Sequence, residues 1–156
     1  MRRTMLGLIG IVLACALAGC GSLQIRPDYD TTKSEALSLR AEFEATLPAD
    51  SASTGVEDDV DIQCTGGAAQ FNGILTVSVA ADFDRAAWLD DAAAMYAGRA
   101  GWKVEKKVAA EGSSDATRAV AFTSDDGFYL RLGEFADAPE VGPVIVLSAS
   151  GPCSVR

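Results

Sequence analysis

The chain has 156 residues, and its 22 acidic side chains outnumber 13 basic ones, which gives a formal net charge of −9. This balance argues against nucleic acid as a partner, because an acidic surface is repelled by phosphate backbones. There is no histidine, so the commonest general base, the commonest metal ligand and the usual partner of a serine or cysteine nucleophile are missing. We therefore predict no catalytic residues, no metal site and no cofactor, and expect the protein not to be an enzyme.

The first twenty residues have the three parts of an export signal. Arg2 and Arg3 form a basic start, and residues 5–17 are almost entirely apolar. This run is too short for a stable membrane span, which needs roughly 20 residues. Leu17-Ala18-Gly19 then precede Cys20 as a lipobox. The alternatives are an ordinary secretory signal and a short membrane helix, but an ordinary signal favours a small residue where Leu17 stands.

This segment resembles the signals of bacterial lipoproteins that are processed by the lipoprotein signal peptidase. The resemblance implies cleavage before Cys20, a diacylglyceryl group on its thiol and often a further palmitate-type chain on its amine. Two or three acyl chains hold a protein stably on a membrane. We expect a signal peptide over 1–19, a lipidated cysteine and tether over 20–30, and a single domain over 31–156 on the extracytoplasmic face of the cell membrane. Removal of the signal leaves 156 − 19 = 137 residues and a charge of 11 − 22 = −11.

The first predicted helix begins at Thr32, which stands three residues before Glu35 in the spacing of a capping box, and it ends before Pro48. Its apolar stripe is expected to face the core and consists of Ala36, Leu39, Phe43 and Leu47. A polar loop over 49–55 follows.

Four acidic residues then stand close together at Glu57, Asp58, Asp59 and Asp61. Clustered carboxylates attract calcium, but this run lacks the glycine and distal glutamate of an EF-hand loop. We interpret it as a solvated acidic rim. Segments 56–64 and 71–80 alternate in polarity around Gly66-Gly67 and predict a β-hairpin.

A second helix is predicted after Asp82 or Asp84, either of which can be its N-cap, with Gly101 as its C-terminal cap. Its predicted stripe is Ala86, Leu89, Ala93, Tyr96 and Ala100. Four strands are predicted to follow, over 102–108, 118–124, 128–132 and 144–149. Asp125-Asp126-Gly127 is a strong hairpin signal between the middle two, and Lys106 interrupts the apolar side of the first, which is typical of an edge strand.

This order, α-β-β-α-β-β-β-β, predicts an α+β fold, with a mostly antiparallel sheet of five to six strands and both helices on one face. The other face of the sheet would then carry a cluster of polar and aromatic side chains. We predict a binding surface there, formed by Lys103, Lys107, Tyr129 and Arg131.

Two cysteines, Cys64 and Cys153, remain after the signal and the lipidated cysteine are set aside. An even pair in an oxidising exported compartment predicts a disulfide. The alternatives are two buried free thiols or an intermolecular bridge. The spacing contains no Cys-x-x-Cys redox motif.

The whole pattern resembles the small surface lipoproteins of actinomycetes, including the LppA-like group of mycobacteria. The shared features are the lipobox, a charged helix soon after it, and a terminal strand that ends in Ser150-Gly151-Pro152-Cys153. These proteins are mostly uncharacterised, so the resemblance implies a place in the cell envelope and a fold rather than a reaction.

Three functions are compatible with these features. The preferred one is a non-catalytic binding or envelope-interaction module whose partner is an envelope protein, a glycan or a lipid, in addition to the membrane held through Cys20. The second is a carrier of a small hydrophobic ligand between the helices and the sheet. The third is a hydrolase that uses carboxylates, for which no motif singles out a residue pair.

Overall fold

The computed structural model describes residues 27–52, 55–110, 115–138 and 142–156. The predicted signal, Cys20 and most of the predicted tether therefore lie outside the described residues. The elements in chain order are α1 (Tyr29–Glu44), α2 (Ala49–Ala52), β1 (Val56–Gln63), a 3₁₀ turn (Thr65–Gly67), β2 (Ala69–Ser78), α3 (Arg85–Tyr96), β3 (Trp102–Val108), β4 (Arg118–Ser124), β5 (Tyr129–Ala138) and β6 (Gly142–Ser150).

The fold is α+β, as the sequence predicted. Its six strands form one sheet in the order β1-β2-β6-β5-β4-β3, and every neighbouring pair is antiparallel. Helix α1 lies over β2 and β6, and helix α3 lies over β3, β4 and β5. Both long helices thus cover the same face, which we call the helix face. The opposite face, which no described helix covers, is called the open face.

Strict alternation along β2 explains how the sheet separates its two faces. Phe71, Leu75 and Val77 are buried beneath the helices, whereas Asn72, Ile74 and Thr76 are half-buried on the open face. The core is centred on aromatic rings: that of Phe43 lies 5.3 Å from Tyr96 and 5.1 Å from Phe122. All four residues of the predicted stripe of α1 are buried, but the helix ends at Glu44, so Leu47 packs on the core from the turn that follows it.

The N-terminus of α1 differs from the sequence-based prediction. The N-cap is Asp28, whose carboxylate accepts the backbone N–H of Thr31 at 3.0 Å. Thr32 is buried one turn further on, donates to the carbonyl of Tyr29, and lies 2.8 Å from the hydroxyl of Ser154. The C-terminal tail packs against this turn, so residues 28–30 belong to the domain rather than to a tether.

Helix α3 has the predicted start but a different buried face. Asp84 is the N-cap and accepts the backbone N–H of Ala87 at 2.9 Å. Trp88 and Ala92 join the buried stripe, whereas Ala86 is half-buried and Ala100 is exposed beyond the helix end. Trp88 explains the change, because its ring is large and its indole N–H donates to Thr46 at 2.9 Å.

Three further differences lie in the connections. Gly101, with φ of 78°, forms the turn into β3 rather than the cap of α3. The short helix α2 occupies part of the predicted polar loop. Strand β5 continues past Leu132 and pairs with β6 as far as Ala138. Glu134 in this extension is buried between Arg85 and Arg118, each with its Nε 3.5 Å from a Glu134 carboxylate oxygen.

Candidate functional site

Register brings the four predicted binding residues to the open face. Lys103 is opposite Thr123, which is opposite Tyr129, so all three share one row across β3, β4 and β5. Arg131 occupies the next row, opposite Ala121, and Lys107 lies one row further, opposite Ala119. Ala119 and Ala121 of β4 lie in these rows, so this half of the open face has little relief around the larger side chains.

Arg131 does not project freely from this surface. Its guanidinium forms an ion pair with Asp115, and only 24% of its side chain is exposed. The backbone N–H of Ala116 and the guanidinium of Arg131 together lower the pKa of the Asp115 carboxyl. Arg131 therefore fixes the segment that precedes β4 onto the open face.

Ala116 is the residue by which this segment touches the sheet. It is buried, and it packs so closely on Gly133 that a Cβ built at Gly133 would lie 2.9 Å from the Ala116 methyl. This close approach explains why a glycine stands inside β5. The segment thereby covers the open face beside Arg131 and leaves Lys103 and Lys107 exposed.

The opposite half of the open face carries an apolar strip that the sequence analysis did not assign. Strand β1 directs Val56, Val60 and Ile62 away from the helices, and they are 69%, 45% and 46% exposed. Their partners on β2, which include half-buried Thr76, continue the surface toward the centre of the sheet. We call these three residues of β1 the apolar strip.

The orientation of β1 follows from ion pairs on its other side. Arg40 of α1 is buried and binds both Glu44 and Glu57, and Lys33 lies 3.4 Å from Asp59. Asp61 accepts a hydrogen bond from Tyr29 and pairs with Arg156. These contacts occupy the acidic side chains of the helix face.

The hydrogen bond from Tyr29 lowers the pKa of Asp61, whereas desolvation, and then this bond to Asp61, raises the pKa of the Tyr29 phenol. Glu57, Asp59 and Asp61 are therefore part of the scaffold, and their contacts turn the valines and isoleucine of β1 outward, together with Asp58. The alternation of acidic and apolar residues in β1 was visible in the sequence, but the sequence did not show which of its two sides would face the helices. Among the described residues, no group of three cysteine or acidic side chains is arranged to hold a metal ion.

A groove lies on the helix face between α3 and the edge strand β3. Its cavity of about 310 Å³ has Leu89 and Val120 among its lining residues. The Nζ atom of Lys106 lies 2.7 Å from Asp90 at its border, and this contact lowers the pKa of the Asp90 carboxyl. The volume is at the lower end of the range for small-molecule sites, about 300–1,000 Å³.

Cys64 and Cys153 meet at the end of the sheet where β1 finishes and the C-terminal tail begins. Their Cα atoms are 6.1 Å apart, and their sulfur atoms lie within bonding distance. This is the pairing that the sequence predicted. The tail beyond Cys153 also pairs with β2, through the mutual backbone hydrogen bonds of Ser154 and Ala69.

No protein-family model matches this chain, and no curated protein and no solved structure is significantly similar to it. Within the described ranges, none of the helices is long and apolar enough to cross a membrane.

Proposed function

We propose that this protein is an exported, lipid-anchored binding module that engages an envelope protein through its open face, without catalysis. The anchor is assigned to Cys20 of the lipobox, and the proposal includes membership of the small surface lipoproteins that the sequence resembles. One observation carries the choice of surface. The sheet has a face that no described helix covers, and that face combines the apolar strip with exposed lysines.

Both halves of this face suit a protein partner. Exposed apolar side chains that lie together on one face indicate an interaction surface, and Val60 and Ile62 are neighbours on the open face of β1, with Val56 beyond Asp58 on the same face. Lys103 and Lys107 at the other side add positive charge on an otherwise acidic molecule. Charged residues at the border of an interface contribute mainly to association rate and specificity, and the apolar part contributes affinity.

Co-purification of the full chain from cells, after mild cross-linking and with mass spectrometry, tests this proposal. Two double variants remove different halves of the surface: Val60→Thr with Ile62→Thr, and Lys103→Glu with Lys107→Glu. We expect each to lower recovery of the dominant partner by at least about tenfold, which corresponds to about 1.4 kcal/mol. Threonine retains the β-branched shape and so preserves the strand.

The matched control is Met95→Thr, which makes a similar change at a residue that is 48% exposed on α3, on the other side of the molecule. Full recovery of the partner with both double variants would contradict the proposal. Equal loss with the control would also contradict it, because the binding would then not depend on the open face.

The groove beside α3 favours a second candidate function, the carriage of a small amphipathic ligand. Its apolar lining and the neighbouring Lys106, Lys107 and Arg118 suit a ligand with one negatively charged end. The same purified material distinguishes the two candidates. A small molecule that stays bound in native mass spectrometry, with no protein partner recovered, would favour the carrier.

A further inference from the structure

Among the described residues, no further strand pairs with either edge of the sheet, and the two edges are of opposite charge. Strand β1 forms one edge and strand β3 the other. All eight residues of β1 are exposed, and four of them are acidic. Strand β3 has three lysines and one glutamate among its seven residues. Edge strands expose unpaired backbone N–H and C=O groups, so each is able to accept a further strand.

Strand direction allows these two edges to meet. The six strands alternate in direction across the sheet, so β1 and β3 run antiparallel to each other. A second copy in the same orientation, placed beside β3, therefore presents its own β1 as an antiparallel neighbour. The helix faces of the two copies would lie on the same side of a continuous sheet.

We propose that β3 of one copy pairs with β1 of a second copy of this chain, in a head-to-tail antiparallel interface. The alternatives that use one kind of edge twice are unfavourable. Pairing β1 with β1 would set two acidic strands side by side, and pairing β3 with β3 would set lysines against lysines. Like charges directly opposite each other destabilise a strand pair.

Side-chain alternation restricts the register of this interface. Directly opposite residues share a face, so open-face residues of β1, such as Asp58, must meet open-face residues of β3, such as Lys107. The arrangement with Asp58 opposite Lys107 pairs all seven residues of β3 with residues 57–63 of β1. Asp58 and Lys107 then form an opposite-charge pair, and Asp59 lies opposite Lys106, although these two side chains already contact Lys33 and Asp90 within their own copies.

Both registers shifted by two residues are less favourable. One places Asp58 opposite Glu105, a like-charge pair, and pairs six residues of β3; the other pairs only five and leaves Asp58 without an opposite residue in β3. In the preferred register Ile62 lies opposite Lys103, whose aliphatic stem can cover it while the ammonium group stays in water. Val60 lies opposite Glu105. The interface thus joins the apolar strip of one copy to the lysine-bearing edge of the next.

Cysteine cross-linking between two differently tagged full-length copies in the same cells tests the register. One copy carries Val60→Cys and the other carries Glu105→Cys. Directly opposite Cβ atoms are about 4.5–5.5 Å apart, but those two residues further along are about 7–8 Å apart. We expect the matched pair to cross-link at least about fivefold more than Val60→Cys with either Lys103→Cys or Lys107→Cys. Equal yields in all three combinations, or no cross-link in any, would overturn the proposal.

Reversing the charges of Asp58 and Lys107 provides a second test, at two residues that are exposed. Asp58→Lys and Lys107→Asp each place like charges opposite one another in copies of the same variant, and each should lower self-association about fivefold. A mixture of the two variants should recover it, because each mutated edge then meets an edge of opposite charge. Lys103→Asp, which changes the same charge opposite Ile62, is the control and should have a smaller effect. If the mixture of the two variants does not recover self-association, the proposal is overturned. Recovery of an envelope partner by the open-face variants is measured separately and tests the proposed function instead.

Discussion

Tyr96 is the residue at which both long helices and the sheet meet. Its ring contacts Phe43 of α1, Phe122 of β4 and Trp102 of β3, and its hydroxyl donates to the carboxylate of Glu42 at 2.9 Å. Burial, followed by this hydrogen bond, raises the pKa of the phenol from 10.0 to about 12. The aromatic ring was predicted to be in the core, but its bond to α1 depends on how the helices pack.

The raised pKa makes the contribution of Tyr96 to stability depend on pH. It is fully present below pH 10 and is lost as pH rises toward about 12, because the unfolded chain releases this proton first. We expect Tyr96→Phe to be less stable than the wild type by about 1 kcal/mol below pH 9. As pH rises from 10 to 12, the stability advantage of the wild type over Tyr96→Phe should fall by up to about 2–3 kcal/mol, so that it shrinks or reverses.

Urea unfolding of both proteins across this pH range measures the difference. Other groups that titrate there, including the lysines, are present in both chains and cancel in the comparison. A difference between the two proteins that stays constant from pH 8 to 12 would contradict the raised pKa of Tyr96.

At the scale of the elements, capping decides where the helices begin. The sequence left Asp82 and Asp84 as alternative caps of α3, and both are exposed. The structure selects Asp84 through its contact with the N–H of Ala87. In helix α1 the predicted cap is not the one used, since the capping box at Thr32 lies inside the helix. Tertiary contact with the C-terminal tail stabilises the additional turn from Tyr29.

The two aspartates provide a matched pair of variants. Asp84→Ala should destabilise the domain by about 1 kcal/mol, because it leaves a helix N–H without its side-chain acceptor. Asp82→Ala should change stability by less than about 0.5 kcal/mol. Thermal or urea unfolding of both variants measures the contrast. Equal losses would mean that the cap is not specific to Asp84.

At the scale of the whole molecule, the contact between Cys64 and Cys153 closes the chain. It spans 89 residues and includes every strand after β1. Cross-linking over a long loop stabilises mainly by restricting the unfolded chain. The described contacts of the tail with α1 and β2 hold the two cysteines together in the folded state.

Removal of this bond should lower the free energy of unfolding by about 2–5 kcal/mol. Cys64→Ala, Cys153→Ala and the double variant should lose similar amounts, and a reducing agent should bring the wild type close to them. Urea unfolding with and without reductant makes this measurement. A covalent dimer on a non-reducing gel would instead indicate an intermolecular bridge, and no effect of reductant would indicate free thiols.

The sequence by itself determined the α+β class, the element order, the cysteine pairing and the alternation that gathers Lys103, Lys107, Tyr129 and Arg131 on one face. These features depend on local periodicity and on pairing rules. Its proposals of a lipobox and an anchor on Cys20 lie outside the described residues and remain predictions.

Only the tertiary structure decided which way β1 faces and which polar residues are already engaged. An alternating strand can present either side to a helix, and here the ion pairs of Arg40 with Glu57 and of Lys33 with Asp59 keep the side that carries three of the four acidic residues toward α1. The apolar strip on the open face and the pairing of Arg131 with Asp115 both arise from contacts between residues far apart in sequence. The local alternation of residues cannot specify such contacts, because they depend on how distant segments of the chain pack against the sheet.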